Sequence, residues 1–208
     1  MTRGRFITFE GTEGVGKTTN MDFAASVLTE RGIAFVRTRE PGGTPMAERV
    51  RAILLDPQSE AIDPEAELLL VFAARAQHLA RVIRPALEAG TWVLCDRFTD
   101  ATFAYQGGGR GLSMTRIAAL EKEVQGGLHP DLTIYLDLPT AVGLARIDAA
   151  LRDRFEREQL AFFERVRAVY VERAKSYARF RTIDAGRPLP NVQQSIGAVL
   201  RDFIDAPA

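Results

Sequence analysis

Gly11-Thr12-Glu13-Gly14-Val15-Gly16-Lys17-Thr18, followed by Thr19, satisfies the pattern G-x-x-x-x-G-K-[ST] at every specified position. The chemistry implied is the holding of a nucleotide's phosphates. Glycines let successive backbone N–H groups turn inward around an anion, a helix start adds its positive dipole end, and Lys17 supplies charge for the outer phosphates. The Thr18 hydroxyl is placed to ligate magnesium. Further charge stands in three short runs: Arg39-Glu40-Pro41-Gly42-Gly43 with Arg51 beyond it, Asp96-Arg97-Phe98, and Arg146 to Arg154 with Arg146, Arg152 and Arg154. Arg39, Arg51 and Arg97 offer planar, bidentate geometry for a second phosphate. Taken singly, Arg39, Glu40 and Asp96 would also fit a surface ion-pair set. Their shared position after strands argues for a site.

The elements that must position these groups follow from apolar periodicity. Short apolar, β-branched segments recur at Phe6–Phe9, Ala34–Thr38, Thr91–Cys95, Thr133–Leu136 and Arg181–Ile183. Helical spacing predicts helices over Asn20–Arg31, Pro45–Leu55, Pro64–Ala89, Met114–Gly126, Ala141–Ala149, Gln159–Tyr177 and Asn191–Phe203. The alternation predicts an α/β fold: a five-stranded, mostly parallel sheet flanked by helices on both faces. In such a sheet the loops at the strands' carboxyl ends gather the ligand site. The glycine-rich stretches Pro41-Gly42-Gly43 and Gln106-Gly107-Gly108-Gly109-Arg110-Gly111 read as loops.

Bulk properties narrow the function classes. The chain has 208 residues with no repeat or linker, which predicts one domain over residues 1–208. Lys plus Arg equals Asp plus Glu at 27 each, so no overall positive field favours nucleic acid or a membrane surface as partner. The longest apolar stretch outside the N-terminus, Leu68 to Ala74, is far below a membrane span. A lone cysteine, Cys95, suits a reducing cytoplasm, and the start of the chain lacks the apolar core of a signal peptide. His78 and His129 have no companions at ligand spacing, which argues against zinc.

The phosphate loop, Thr38-Arg39-Glu40-Pro41-Gly42-Gly43, Phe72-Ala73-Ala74-Arg75, Asp96-Arg97-Phe98, Ala104-Tyr105-Gln106-Gly107 and Pro130-Asp131-Leu132-Thr133 together resemble bacterial thymidylate kinases, in order from the first strand to about Phe163. The resemblance implies a three-layer P-loop kinase fold, transfer of the γ-phosphate of ATP to thymidine monophosphate, a magnesium ion, and a homodimer. It favours Arg51 and Arg97 as the grip on the acceptor phosphate. Asp96 is expected near magnesium or its waters with Glu40 beside it, and Glu13 facing the sugar 3′-hydroxyl.

Base recognition is expected from Arg75, Thr102 and Gln106, whose guanidinium, hydroxyl and amide suit a pyrimidine's oxygens and ring N–H. Tyr105 is expected against the deoxyribose. Phe72 is the expected stacking ring, although relatives carry it one position earlier, at Val71 here. One step turns a helical side chain by about 100°, and the core is the competing place for Phe72. Leu69, Leu70 and Leu79 are candidates for a dimer contact, and Asp184-Ala185-Gly186 for the surroundings of adenine.

Some relatives carry an arginine within the phosphate loop, where this chain has Gly14 and Val15. The transition-state cation is then expected from a lid segment, about 146–156, with Arg152 and Arg154 as suppliers. A kinase for another nucleoside monophosphate shares most of these features. A GTP-dependent switch does not fit, because neither Asn20 nor Asn191 begins the guanine-reading Asn-Lys-x-Asp.

Overall fold

The computed structural model describes residues 3–58, 60–147 and 153–206. Five parallel strands form one sheet in the order β2-β3-β1-β4-β5: β1 Phe6–Glu10, β2 Phe35–Arg39, β3 Trp92–Asp96, β4 Leu132–Asp137 and β5 Phe180–Asp184. The central β1 is buried along its whole length, which is why it reads as a continuous apolar run. Its residues alternate between faces. Ile7 and Phe9 pack with Met21 and Ala24 of α1 (Lys17–Glu30) and with Ile196 and Leu200 of α9 (Leu189–Asp205). Phe6, with Val93 and Cys95 of β3, packs on the opposite side against Leu79, Ile83 and Leu87.

The predicted helix over Pro64–Ala89 is one winding path. It runs as α3 (Pro64–His78), a π-helical turn at Leu79–Ile83, and α4 (Arg84–Glu88). Asp63 caps its start by accepting from the Glu65 amide at 2.9 Å, and Pro64 occupies the first turn, where a missing N–H costs nothing. Thr44 does the same for α2 (Pro45–Leu55), accepting from the Ala47 amide at 3.1 Å.

One expectation fails. The glycine stretch after Gln106 is not simply a loop: α5 (Thr99–Thr102) continues into a π-helical segment, Phe103–Gly109. The glycines serve close packing. A Cβ on Gly108 would meet Val169 Cγ2 at 2.6 Å, and one on Gly109 would run into the Phe162 ring. Both neighbours belong to α8 (Leu160–Ser176), which lies directly against this segment. The remaining helices are α6 (Met114–Gln125) and α7 (Thr140–Ala145). The helix expected to reach Ala149 ends at Ala145, and its last expected residues, with Arg152, lie outside the described residues.

Candidate active site

A cavity of about 450 Å³ opens at the carboxyl ends of the strands. It is lined by Glu13 to Thr19 and by side chains from the segments after β2 and β3, from α2 and α3, and from the π-helical segment after α5. The parallel sheet brings these together because every strand ends at the same edge.

The phosphate loop joins β1 to α1. Gly16, at φ +82, precedes the helix with no side-chain cap, leaving the first-turn N–H groups to an anion. Gly14 is also left-handed, at φ +69, and a Cβ there would collide with the Gly143 carbonyl of α7. The Lys17 ammonium donates to the Thr12 carbonyl at 3.1 Å and lies 4.0 Å from the Glu13 carboxylate. Burial lowers its pKa, and the nearby Arg97 charge adds to that against the pull of Glu13. Gly11 and Thr12 shape the loop from behind without lining the cavity; Thr12 is buried.

Arg97 organises the cavity wall beside the phosphate loop. Its backbone is left-handed at φ 65. Its guanidinium donates to the Gly11 carbonyl at 2.7 Å, to Glu13 Oε1 at 2.6 Å and to the Tyr170 hydroxyl at 3.2 Å, and it stacks over the Tyr105 ring at 4.8 Å. Tyr105 donates to the same Glu13 oxygen at 2.8 Å. Burial alone would raise the Glu13 pKa, but Arg97 and Lys17 outweigh it and hold the carboxyl below its ordinary value. Behind this set, Glu10 accepts from the Phe98 amide and from the Tyr170 hydroxyl, each at 2.7 Å. Burial and the neighbouring Asp100 charge push the Glu10 pKa up to about 8. Glu10 and Tyr170 escaped the sequence reading because 160 residues separate them.

Arg51 lines the cavity and donates to the Pro41 carbonyl at 3.0 Å. Burial and repulsion from Arg39 and Arg97 push its pKa down. Lys17, Arg51 and Arg97 thus line one cavity, and among the described residues Arg51 has no carboxylate hydrogen-bonded to it, which suits it to a phosphate. Arg39 does not line this cavity. It is exposed and paired through two nitrogens with Glu48, at 3.3 and 2.8 Å. The expectation that it grips the second phosphate therefore lacks support.

Thr18 and Asp96 share the cavity wall, and Asp96 Oδ1 is buried with no hydrogen-bond partner. A buried carboxylate oxygen without a donor is suited to a cation or its water. Among the described residues no cluster of three or more His, Cys, Asp or Glu side chains could cage a metal; magnesium, which keeps waters and takes substrate phosphates, needs no such cage. The metal role expected of Glu40 does not fit. Its Oε2 accepts from Arg75 Nε at 2.7 Å and its Oε1 from His78 Nδ1 at 3.0 Å, with the whole set buried. His78 in turn meets Thr38 Oγ1 at 2.7 Å through Nε2. Glu40 positions Arg75.

Arg75 reaches the cavity nearly saturated. Besides Glu40 it donates to Gln125 at 3.3 Å, to the Phe98 carbonyl at 3.2 Å and to Thr102 at 2.8 Å, so four of its five N–H groups are used and one on Nη1 remains. Thr102 and Gln106 also line the cavity. Phe72 does not. It is buried with Leu68, Phe103 and Ile117, against the back of the Arg75 guanidinium, while Val71 faces the cavity. The expected stacking ring is thus core, as the one-residue rotation would have it.

The lid expectation also changes. Arg154 donates to the Leu54 carbonyl at 2.7 Å and pairs with the buried Glu67, so it ties α2 to α3 and does not line the cavity. Asp153 and Phe155, on either side of it, do. Arg146 donates to the Gly14 carbonyl at 3.2 Å, beside the phosphate loop. Leu79 is fully buried and unavailable for a dimer contact, while Leu69 is half exposed. Asp184, Ala185 and Gly186 stand apart from the cavity wall.

Comparison with known proteins identifies the family. A family model described as thymidylate kinase matches residues 9–196. The chain is 60% identical over 204 residues to a thymidylate kinase of Pseudomonas putida and 58% identical over 204 residues to one of Pseudomonas savastanoi pv. phaseolicola, with 97% of each chain covered in both cases. Among solved structures, the thymidylate kinase of Ehrlichia chaffeensis superposes with a TM-score of 0.76 at 32% identity, over 95% of this chain and 99% of that one.

Proposed function

The chain belongs to the thymidylate kinase family and transfers a phosphoryl group from ATP to thymidine monophosphate, and from that premise we propose how its residues divide the work. The donor's phosphates sit in the loop from Gly11 to Thr19, with Lys17 on the transferring group. Arg51 and Arg97 hold the acceptor phosphate. Both line the same cavity as the phosphate loop, with Arg97 donating to Gly11 and Glu13 of that loop, and this is the observation that carries the reading. Glu13 and Tyr105 face the deoxyribose, where the Tyr105 ring excludes a 2′-hydroxyl. Arg75, Thr102 and Gln106 meet the base edge.

Little covalent work remains for the protein. An acceptor phosphate oxygen forms a bond to the γ-phosphorus as the bond to the β–γ bridging oxygen breaks, and ADP leaves with that electron pair. The chain contributes in-line positioning and positive charge around the transferring group. Thr18 and Asp96 would hold magnesium, which when bound neutralises the donor's phosphate charge. The remaining cation comes from the segment about 146–156. Arg146 already reaches Gly14, whereas Arg154 reaches the phosphates only on leaving Glu67. A homodimer through the exposed face of α3 near Leu69, and residence in the cytoplasm, complete the reading. Support for the dimer is the family resemblance together with that exposed leucine.

The test is ADP release with a panel of nucleoside monophosphates. Thymidine monophosphate should give the highest kcat/KM, and R51A should raise KM for it with a smaller change in KM for ATP. A better acceptor, or an R51A variant altered only toward ATP, would overturn the assignment.

A further inference from the structure

Glu67 lies on α3 with no exposed surface, yet three side chains converge on it. Gln106 Nε2 donates to Oε1 at 2.9 Å, Arg110 Nε lies 3.2 and 3.3 Å from the two oxygens, and Arg154 Nη2 pairs with Oε2. A carboxylate only accepts, so the amide of Gln106 has one workable orientation, with its NH2 toward Glu67. Its carbonyl oxygen is then the atom left for other partners. Gln106 and Arg75 both line the acceptor cavity, and Arg75 keeps one Nη1 hydrogen that its other partners do not use.

We infer that Glu67 is a specificity-determining positioning residue: it fixes the Gln106 amide so that the cavity presents an acceptor to the base N3 beside the donor of Arg75. Thymine and uracil carry N3–H and an O4 acceptor, which complement that pair. Cytosine carries a bare N3 and an amino group at C4, which oppose it at both positions. The discrimination against cytosine is set by a residue that does not line the cavity.

The inference rests on the acceptor placement proposed above, and Glu67→Gln tests it. In that variant the new carbonyl stays with Arg154 and Arg110, which can only donate, and the new NH2 faces Gln106. The Gln106 amide then turns over and offers its own NH2 to the cavity. Affinities for dTMP, dUMP and dCMP are measured by calorimetry on wild-type, E67Q and E67D protein, alongside thermal unfolding. In E67Q the preference for dTMP over dCMP should fall by roughly tenfold to a hundredfold, with dUMP following dTMP. In E67D, which keeps a carboxylate, the preference should persist even where all three affinities drop. An equal loss for all three nucleotides in E67Q would reduce Glu67 to a structural role and overturn the inference. If E67Q fails to fold, Gln106→Met decides: an unchanged dTMP preference in that variant refutes the amide as its source. Wild-type protein that does not prefer dTMP would instead overturn the acceptor placement.

Discussion

Lys17 has no rival within the phosphate loop, where it is the only cationic side chain. Its contacts with the Thr12 carbonyl and Glu13 are weak enough to give way to a phosphate. Lys17→Ala should lower kcat by roughly a hundredfold or more while the thermal unfolding midpoint stays close to wild type; near-normal turnover in steady-state assays would refute its role. Glu40 illustrates the opposite case. Its sequence position after β2 suggested a metal, but its two oxygens are taken by Arg75 and His78. Glu40→Gln should therefore raise KM for thymidine monophosphate by roughly tenfold, through a misplaced Arg75, while leaving the magnesium dependence of the rate unchanged. A shift in the magnesium requirement with KM unaltered would restore the metal reading. What could be read from single residues was the chemistry that a local pattern suffices to specify, as at Gly11 to Thr18. The partners of Glu40, Glu67 and Glu10 come from segments far along the chain, and no local spacing encodes them.

The helices and strands were largely predictable because their apolar periodicity is set by the faces they bury. Ile7 and Phe9 alternate with Phe6 for that reason, and the path from Pro64 to Glu88 reads as one helix despite its π turn. The Gly107–Gly109 stretch misled because glycine also serves close approach, and only the neighbouring α8 reveals which use applies. A similar approach occurs where α7 meets the phosphate loop. A Cβ on Gly143 would press on the Glu13 carbonyl. Gly143→Ala should lower stability by about 1–3 kcal/mol, measured by denaturant unfolding, and raise KM for ATP as the loop is displaced. Unaltered stability and KM together would show that α7 yields freely.

Folding buries an ionisable group at the centre of the protein, and its protonation reports on the global equilibrium. Glu10 has its pKa raised from an ordinary 4.5 to about 8. The folded state therefore holds a proton that the unfolded chain releases between those values. Its contribution to stability is full below about pH 4.5 and is lost as pH rises through about 8. Glu10→Gln removes the titration, so the decline in unfolding free energy between pH 5.5 and pH 8 should be smaller in E10Q than in wild type. Equal declines in the two proteins would place the proton elsewhere. The position of Glu10 beneath Arg97 also explains why the sheet edge and the site cannot be separated: Phe98 N–H, Tyr170 and Arg97 share one buried polar network.

The contact between Gly14 and Gly143 bears on how such enzymes can diverge. Relatives that carry an arginine in the phosphate loop and chains like this one, which lack it, look one substitution apart in sequence. Here position 14 has a left-handed backbone and its Cβ direction is filled by the Gly143 carbonyl, while Val15 is buried in the core beneath the loop. An arginine introduced at either place would evict α7 or breach the core before it contributed any charge. A cationic side chain at position 14 therefore requires α7, at Gly143, to move first.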